Sequence, residues 1–131
     1  YGDEAGLEGY RDPFCRRPFP WHHMEPMLLE AYRAIGRTRQ REPILRDGEY
    51  RVIQCTQDYL VFVRTPFGPE SYFLCVAVNL SDHPARLIGC TDAQTILSLP
   101  TSGVDETELA PKSVRYLRCP LMFLPENCQI Q

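Results

Sequence analysis

The spacing of apolar residues changes near residue 47, and this change constrains the fold more than any other feature of the chain. From Pro26 to about Arg41, apolar residues recur at helical spacing. From Asp47 onward they alternate with polar residues, which is typical of half-buried strands. One helical segment followed by strands without intervening helices indicates an antiparallel β-structure, either a sandwich or a barrel.

The β-rich part divides into short strands separated by turn residues. Gln57-Asp58 and the run Pro66-Phe67-Gly68-Pro69 are turn signals between segments rich in Val, Tyr, Phe and Ile. A polar loop is predicted over residues 100–108, and residues 119–131 form a tail of indefinite structure. The predicted strands are residues 49–54, 59–65, 72–80, 85–89, 95–99 and 113–118.

The segment before the strands combines a helix with a long irregular loop. Pro26 suits a first helical position, and Pro43 ends the helix. Residues 1–23 are rich in Gly, Pro, Asp and aromatic side chains and predict a loop, with a strand stub at its start. An irregular stretch of this length is usually functional when it occurs in a compact domain. The helical apolar face is Met27, Leu28, Ala31, Tyr32 and Ile35.

Charge and hydropathy exclude two classes of partner. The chain has 14 basic and 17 acidic residues, a net charge of −3. This balance lacks the strongly basic footprint of a nucleic-acid binder. No apolar stretch approaches the roughly 20 residues that span a bilayer. We therefore expect neither nucleic acid nor membrane as a partner.

The six cysteines do not indicate a metal site by their spacing. No pair has the short separation of a zinc knuckle or of a C-x-x-C redox motif, and we predict no metal and no cofactor. The adjacent His22 and His23 are interpreted as solvent-facing residues rather than ligands. Cys75 lies in an apolar run and is expected to be buried as a small hydrophobe. Reduced thiols in a cytoplasmic protein are favoured, and a disulfide-stapled secreted sandwich is the alternative.

Several motifs at the start of the chain resemble one enzyme family. Residues 1–7 read Tyr-Gly-Asp-Glu-Ala-Gly-Leu, and residues 9–21 fit Gly-x-x-Asp-Pro-x-x-Arg-Arg-x-x-x-Trp. Residues 39–48, around Pro43, and the Asn79-Leu80-Ser81 triplet add weaker matches. Together these stretches resemble the end of an α-amylase-family enzyme (glycoside hydrolase family 13). Cyclomaltodextrinases, neopullulanases and maltogenic amylases have the most similar loop. Cys15 departs from this pattern, because relatives often have Asn or Asp there.

The resemblance implies a particular division of the chain. Residues 1–46 would be the end of a (β/α)8 barrel, with the stub of its eighth strand, a substrate loop and the last helix. Residues 47–118 would be the C-terminal antiparallel β-sandwich, and residues 119–131 a tail. The expected fold class is therefore mainly β, preceded by the last strand-loop-helix unit of a TIM barrel. Since the chain opens at Tyr1 without an initiator Met, we expect it to be a piece of a longer protein.

The same resemblance implies that this chain binds substrate and does not cleave it. Retaining glycosidases use paired carboxylates, which the family carries on earlier barrel strands, so no catalytic residue is expected here. Asp12 and Arg16 match the family's contacts to a glucose unit two sites before the cleaved bond. Tyr10 and Trp21 are the aromatic side chains expected to stack on sugar, ahead of Phe14 and Phe19.

The expected function is thus the C-terminal part of a retaining α-glucan hydrolase acting on maltodextrins, cyclodextrins or pullulan. Its partners would be an α-glucan oligosaccharide and the rest of the catalytic barrel, and the parent enzyme would be a homodimer as in the resembled subgroup. An internal salt bridge is the alternative role for Asp12 and Arg16. A non-catalytic carbohydrate-binding or interaction β-sandwich module is the alternative function.

Overall fold

Helix α1 runs from Pro26 to Arg41, which are the bounds that the sequence predicted. The structure is a computed structural model of the chain, and it describes residues 1–90, 92–100, 107–122 and 125–131. These residues form two compact units, Tyr1–Arg37 and Thr38–Gln131. Most of α1 therefore lies in the first unit, and its last turn in the second.

The first residues of the chain form a tight turn where the sequence predicted a strand stub. Asp3–Ala5 make one turn of 3-10 helix, bracketed by Gly2 and Gly6 with left-handed φ values of 87° and 74°. Left-handed backbone at both ends bends the chain, whereas a strand requires extended φ and ψ and a pairing partner. Leu7 covers Gly2 so closely that a Cβ atom there would lie 2.8 Å from its Cδ2.

The second unit is almost entirely β-structure, as predicted. A short helix, α2 (Ile44–Asp47), follows Pro43 and was not expected from the sequence. Its four residues are too few to show helical periodicity in a hydrophobic pattern. In the described part of the chain, eight strands follow it: β1 (Glu49–Cys55), β2 (Tyr59–Thr65), β3 (Tyr72–Asn79), β4 (Ala85–Ile88), β5 (Gln94–Leu99), β6 (Glu108–Leu109), β7 (Ser113–Pro120) and β8 (Gln129–Ile130).

The strands form two antiparallel sheets, which confirms the predicted β-sandwich. One sheet has the order β1-β2-β3-β7-β5, and the other has the order β6-β4-β8. Residues from both sheets share one hydrophobic core. Strand β3 is central and is buried on both faces from Phe73 to Ala77, which confirms the expected burial of Cys75.

Two predicted segments differ in detail from the structure. Of the predicted loop at 100–108, residues 101–106 lie outside the described residues, and Glu108 begins β6. In the segment predicted as a tail, Cys119 and Pro120 continue β7, and β8 pairs with β4. Strands of two residues carry almost no periodic signal, because a period of two needs several residues to be recognised.

The Asn79-Leu80-Ser81 triplet has a structural role at the end of β3. The Asn79 side chain is fully buried. Its Nδ2 donates to the carbonyl oxygens of His83 at 2.8 Å and Ala110 at 3.0 Å. Its Oδ1 accepts from the backbone N–H of Ser81 at 2.9 Å and from the Ser81 hydroxyl at 2.7 Å. One side chain therefore joins the β3–β4 connection to the segment that precedes β7.

Candidate functional site

The predicted substrate loop is built from successive turns in the first unit. The backbone N–H of Phe14 donates to the carbonyl of Arg11 at 2.8 Å, and that of Arg16 donates to the carbonyl of Pro13 at 3.0 Å. A further turn joins the N–H of His23 to the carbonyl of Pro20 at 3.0 Å. The frequent prolines favour such turns because they fix φ and remove donors needed by helices and sheets.

Asp12 and Arg16 come together at the centre of this loop. Nε of Arg16 lies 2.7 Å from Oδ1 of Asp12. The turn between them places the two side chains on the same side of the loop, which sequence spacing alone could not establish. The Cys15 thiol lies 3.7 Å from the same carboxylate oxygen.

The pair keeps most of its polar atoms available. The side chains of Arg16 and Asp12 are 77% and 64% exposed. The Nε atom of Arg16 and the Oδ1 atom of Asp12 engage each other, and both side chains remain largely open to solvent. A carboxylate accepts from hydroxyl groups, and a guanidinium donates along fixed directions. Such a pair can bind a polyhydroxylated ligand without first breaking apart.

Tyr10 lies on the same loop, and both its hydroxyl and its ring already contact neighbouring side chains. Its hydroxyl donates to Oε2 of Glu8 at 2.8 Å, and this hydrogen bond, followed by the negative charge of Glu8, raises the pKa of Tyr10. The Arg17 guanidinium lies 4.8 Å from the centre of the Tyr10 ring, within the range of a cation–π contact. The Tyr10 side chain remains exposed.

Trp21 offers the largest exposed aromatic surface of the loop. Its residue is 70% exposed, and its ring centre lies 4.6 Å from that of Phe19 with the planes tilted by 54°. The Phe19 contact supports one side of the indole and leaves much of its surface in solvent. A flat, exposed aromatic face of this kind is suited to the apolar face of a pyranose ring.

The structure thus assembles the four predicted residues as separate local groups. Asp12 pairs with Arg16, Tyr10 with Glu8 and Arg17, and Trp21 with Phe19. Arg17 was not among the predicted site residues, although its place beside Arg16 in the motif was a usable signal. His22 and His23 are both exposed.

Comparison with known proteins shows that this chain is similar to enzymes named as pullulanases and amylases. Amylopullulanase from Thermoanaerobacterium thermosulfurigenes is 34% identical over 73 residues, which is 55% of this chain and 4% of that protein. Neopullulanase 2 from Thermoactinomyces vulgaris is 39% identical over 69 residues, 50% of this chain and 12% of that protein. Intracellular maltogenic amylase from Bacillus subtilis is 33% identical over 70 residues, with the same two shares. The predicted resemblance to the α-amylase family is confirmed.

Solved structures of other enzymes have a similar fold. The debranching enzyme of Nostoc punctiforme superimposes with a TM-score of 0.69 at 24% identity, over 90% of this chain and 24% of that one. Cyclic α-maltosyl-(1→6)-maltose hydrolase from Arthrobacter globiformis, in complex with its cyclic saccharide, gives 0.68 at 24% identity, over 90% and 25%. No family model matches the chain. The chain spans 4% to 12% of the length of the three curated relatives.

Proposed function

We propose that this chain is the C-terminal part of a retaining α-glucan hydrolase and supplies sugar contacts on the donor side of the cleaved bond. The observation that carries the proposal is the exposed Asp12–Arg16 pair on a turn-rich loop, in a chain whose relatives are named amylopullulanase, neopullulanase and maltogenic amylase. In this proposal the β-sandwich supports the end of the barrel, and residues 1–46 are the last part of that barrel.

In this proposal, each loop residue makes a different contact with one glucose unit. Asp12 accepts hydrogen bonds from two neighbouring sugar hydroxyls through its carboxylate. Arg16 donates to further hydroxyl oxygens and, through Nε, keeps the carboxylate oriented. Hydrogen bonds to charged groups are worth about 1.5–3 kcal/mol each. Trp21 and Tyr10 supply aromatic faces for the less polar side of the sugar ring.

Cleavage itself belongs to carboxylates outside residues 1–131. The family mechanism uses an Asp nucleophile, a Glu acid/base and a second Asp on earlier barrel strands, with an oxocarbenium-like transition state. A sugar held two sites away contributes binding energy that positions the bond for those groups. The chain alone is therefore proposed to be inert.

The rest of the barrel is the proposed protein partner. Met27, Tyr32 and Ile35 lie on the apolar face of α1, and all three are exposed in this chain, Met27 by 79%. Contiguous exposed apolar side chains of this kind mark surfaces that other parts of a protein cover. The preceding barrel helix and strands would bury them. We further propose a cytoplasmic location, following the relative that is named as intracellular, and a dimeric parent, following the resembled subgroup. Among the described residues, no helix has the length and apolar character needed to cross a membrane.

A matched pair of variants in the parent enzyme tests the donor-side role. Arg16→Ala removes the guanidinium beside Asp12, and Arg33→Ala removes one from the similarly exposed Glu30 pair of α1, where the N–O distance is 2.6 Å. We expect Arg16→Ala to lower kcat/KM on maltotriose about 10- to 100-fold, as loss of one charged hydrogen bond predicts, and Arg33→Ala to leave it unchanged. If both variants had the same kcat/KM on maltotriose, the proposed donor-side role would be wrong.

The alternative, a carbohydrate-binding module, predicts a different result with this chain alone. Calorimetry with maltotriose should detect no binding if the loop forms only part of a sugar site. Saturable binding that survives Arg16→Ala would place a site on the sandwich instead. The depression at one end of the sandwich, about 430 Å³ and lined by Asp58, Tyr59, Asp82, His83 and Lys112, would then be the place to search.

A further inference from the structure

Four of the six cysteines meet inside the sandwich. Cys75 lies on β3 and Cys119 on β7, in the larger sheet. Cys90 follows β4, and Cys128 precedes β8, in the smaller sheet. The four thiols therefore reach the space between the two sheets from four separate elements.

The sulfur atoms lie within ligand distance of one another. The Sγ atoms of Cys75, Cys90 and Cys128 are all within 4.8 Å of each other, and those of Cys90 and Cys128 are 3.0 Å apart. A tetrahedral zinc–thiolate site, with Zn–S bonds of about 2.3 Å, has S–S edges of about 3.8 Å. This S–S distance lies between the 3.0 Å that separates Cys90 from Cys128 and the 4.8 Å upper limit for the three sulfur atoms. Small side-chain rotations would therefore produce it.

The cysteine cluster is shielded from solvent except at Cys90. Cys75, Cys119 and Cys128 are fully buried, whereas Cys90 is half-buried. Cys90 thus gives a route of entry from solvent, and the remaining thiols form a closed interior. A buried thiol packs well as a small apolar group, which accounts for any one of these residues. It does not account for the convergence of four.

We propose that Cys75, Cys90 and Cys128 bind one thiophilic divalent cation of the Zn²⁺ class. Binding breaks the S–H bonds of the ligand thiols, forms metal–sulfur bonds and releases the protons to solvent, with no change in oxidation state. The ion would tie β3, in the larger sheet, to the end of the smaller sheet where β4 ends and β8 begins. This site is separate from the substrate loop and does not depend on the proposed hydrolase function.

Cobalt titration of the full 131-residue chain tests the site. The protein is reduced, freed of metal with a chelator and titrated with Co²⁺ in the presence of a phosphine reductant. We expect thiolate-to-cobalt charge-transfer absorption and the visible bands of tetrahedral Co²⁺, saturating at one ion per chain. Zn²⁺ should abolish both signals, because thiolate sites prefer Zn²⁺ to Co²⁺.

Two variants separate this site from adventitious binding. Cys90→Ser, at the half-buried position, should weaken Co²⁺ binding by more than the roughly 10- to 100-fold typical of losing an outer-sphere partner. The double variant Cys15→Ser/Cys55→Ser removes the two exposed thiols and should bind as the wild type does. Cys90 lies outside the strands, so Cys90→Ser should retain the wild-type far-ultraviolet circular dichroism.

Four outcomes would overturn the proposal. The first is a wild-type chain without charge-transfer absorption at saturating Co²⁺. The second is equal Co²⁺ affinity in the wild type and in folded Cys90→Ser. The third is a Cys90–Cys128 disulfide in protein purified without reductant, combined with no metal binding after reduction, which would identify the cluster as a redox pair. Unchanged melting temperature on adding Zn²⁺ would also contradict it, because an ion bound only by the folded state must stabilise that state.

Discussion

Arg16 and Asp12 form an ion pair across one turn of the proposed substrate loop, with 2.7 Å between Nε and Oδ1 and with both side chains mostly exposed. Exposed ion pairs contribute little to folding, because water screens the charges and both side chains lose rotamer freedom. The same exposure leaves their other polar atoms available to a ligand. Stability and ligand affinity should therefore respond differently to changes at these two residues.

Replacement of Arg16 by Ala is expected to leave the chain nearly as stable as before. The free energy of unfolding should fall by about 1 kcal/mol or less, the range for an exposed pair. Urea denaturation monitored by circular dichroism measures this, with Arg33→Ala as the matched control. A loss several times larger for Arg16→Ala alone would show that the pair mainly holds the loop together.

The ion pair between Glu42 and Arg118 should behave in the opposite way. Glu42 is buried, binds the Arg118 guanidinium and accepts a hydrogen bond from the Tyr72 hydroxyl at 3.2 Å. Glu42→Ala leaves a half-buried guanidinium without its counter-ion and should cost about 3 kcal/mol of unfolding free energy. Glu30→Ala, in the exposed pair of α1, is the control and should cost a small fraction of that.

Tyr72 provides a second measurement of the same pair. Burial, and then the negative charge of Glu42, raises the pKa of Tyr72. Because Glu42→Gln removes that charge but keeps the side chain's size, the pKa of Tyr72 should move down toward its ordinary value of 10.0. Nuclear magnetic resonance of ring-labelled tyrosine follows this titration. An unchanged or higher Tyr72 pKa would contradict the contact.

Asn79 is expected to be among the most sensitive polar positions of the sandwich. Asn79→Ala leaves the Ser81 N–H and the carbonyls of His83 and Ala110 without their partner. Unsatisfied buried groups cost about 1–3 kcal/mol each, partly relieved by water, so we expect a total loss of about 3 kcal/mol. Chemical denaturation checks this against Asn127→Ala, at an exposed position. Equal stability of the two variants would show that water replaces the amide without cost.

Gly89 is required by the close approach of two backbone segments. Its φ is +77°, and a Cβ atom there would lie 1.9 Å from the carbonyl oxygen of Asn127. Gly89→Ala should therefore separate the ends of β4 and β8 and cost about 3 kcal/mol or more. Gly9→Ala, where a Cβ would meet nothing within 4 Å, should be nearly neutral. Similar melting temperatures for both variants would contradict the close packing.

The regular elements followed from the sequence to within a residue or two. Pro26 and Pro43 marked the helix, and the period of two in β2 gave its bounds, Tyr59–Thr65, without error. These signals are local, because proline restricts its own neighbourhood and alternation reflects a single buried face. The two-residue strands β6 and β8 and the four-residue helix α2 are too short to produce such a signal.

The candidate site, too, was only partly predictable from the sequence. Asp12, Arg16, Tyr10 and Trp21 could be named because they lie in one continuous motif. Their actual partners depend on turns of the loop, and Arg17 beside the Tyr10 ring was not foreseen. The strand stub predicted near Tyr1 was replaced by a 3-10 turn between two left-handed glycines.

The sequence by itself determined the helix, the main strands, the β-sandwich class and the motif that resembles the α-amylase family. Each of these depends on residues close together in the chain, where spacing reports structure directly. The contacts between distant residues came only from the tertiary structure: Glu42 with Arg118, and Cys75, Cys90 and Cys128 with one another between the sheets. Sheet order and strand register determine these contacts, because they bring residues from separate strands together in the core regardless of their spacing in the chain.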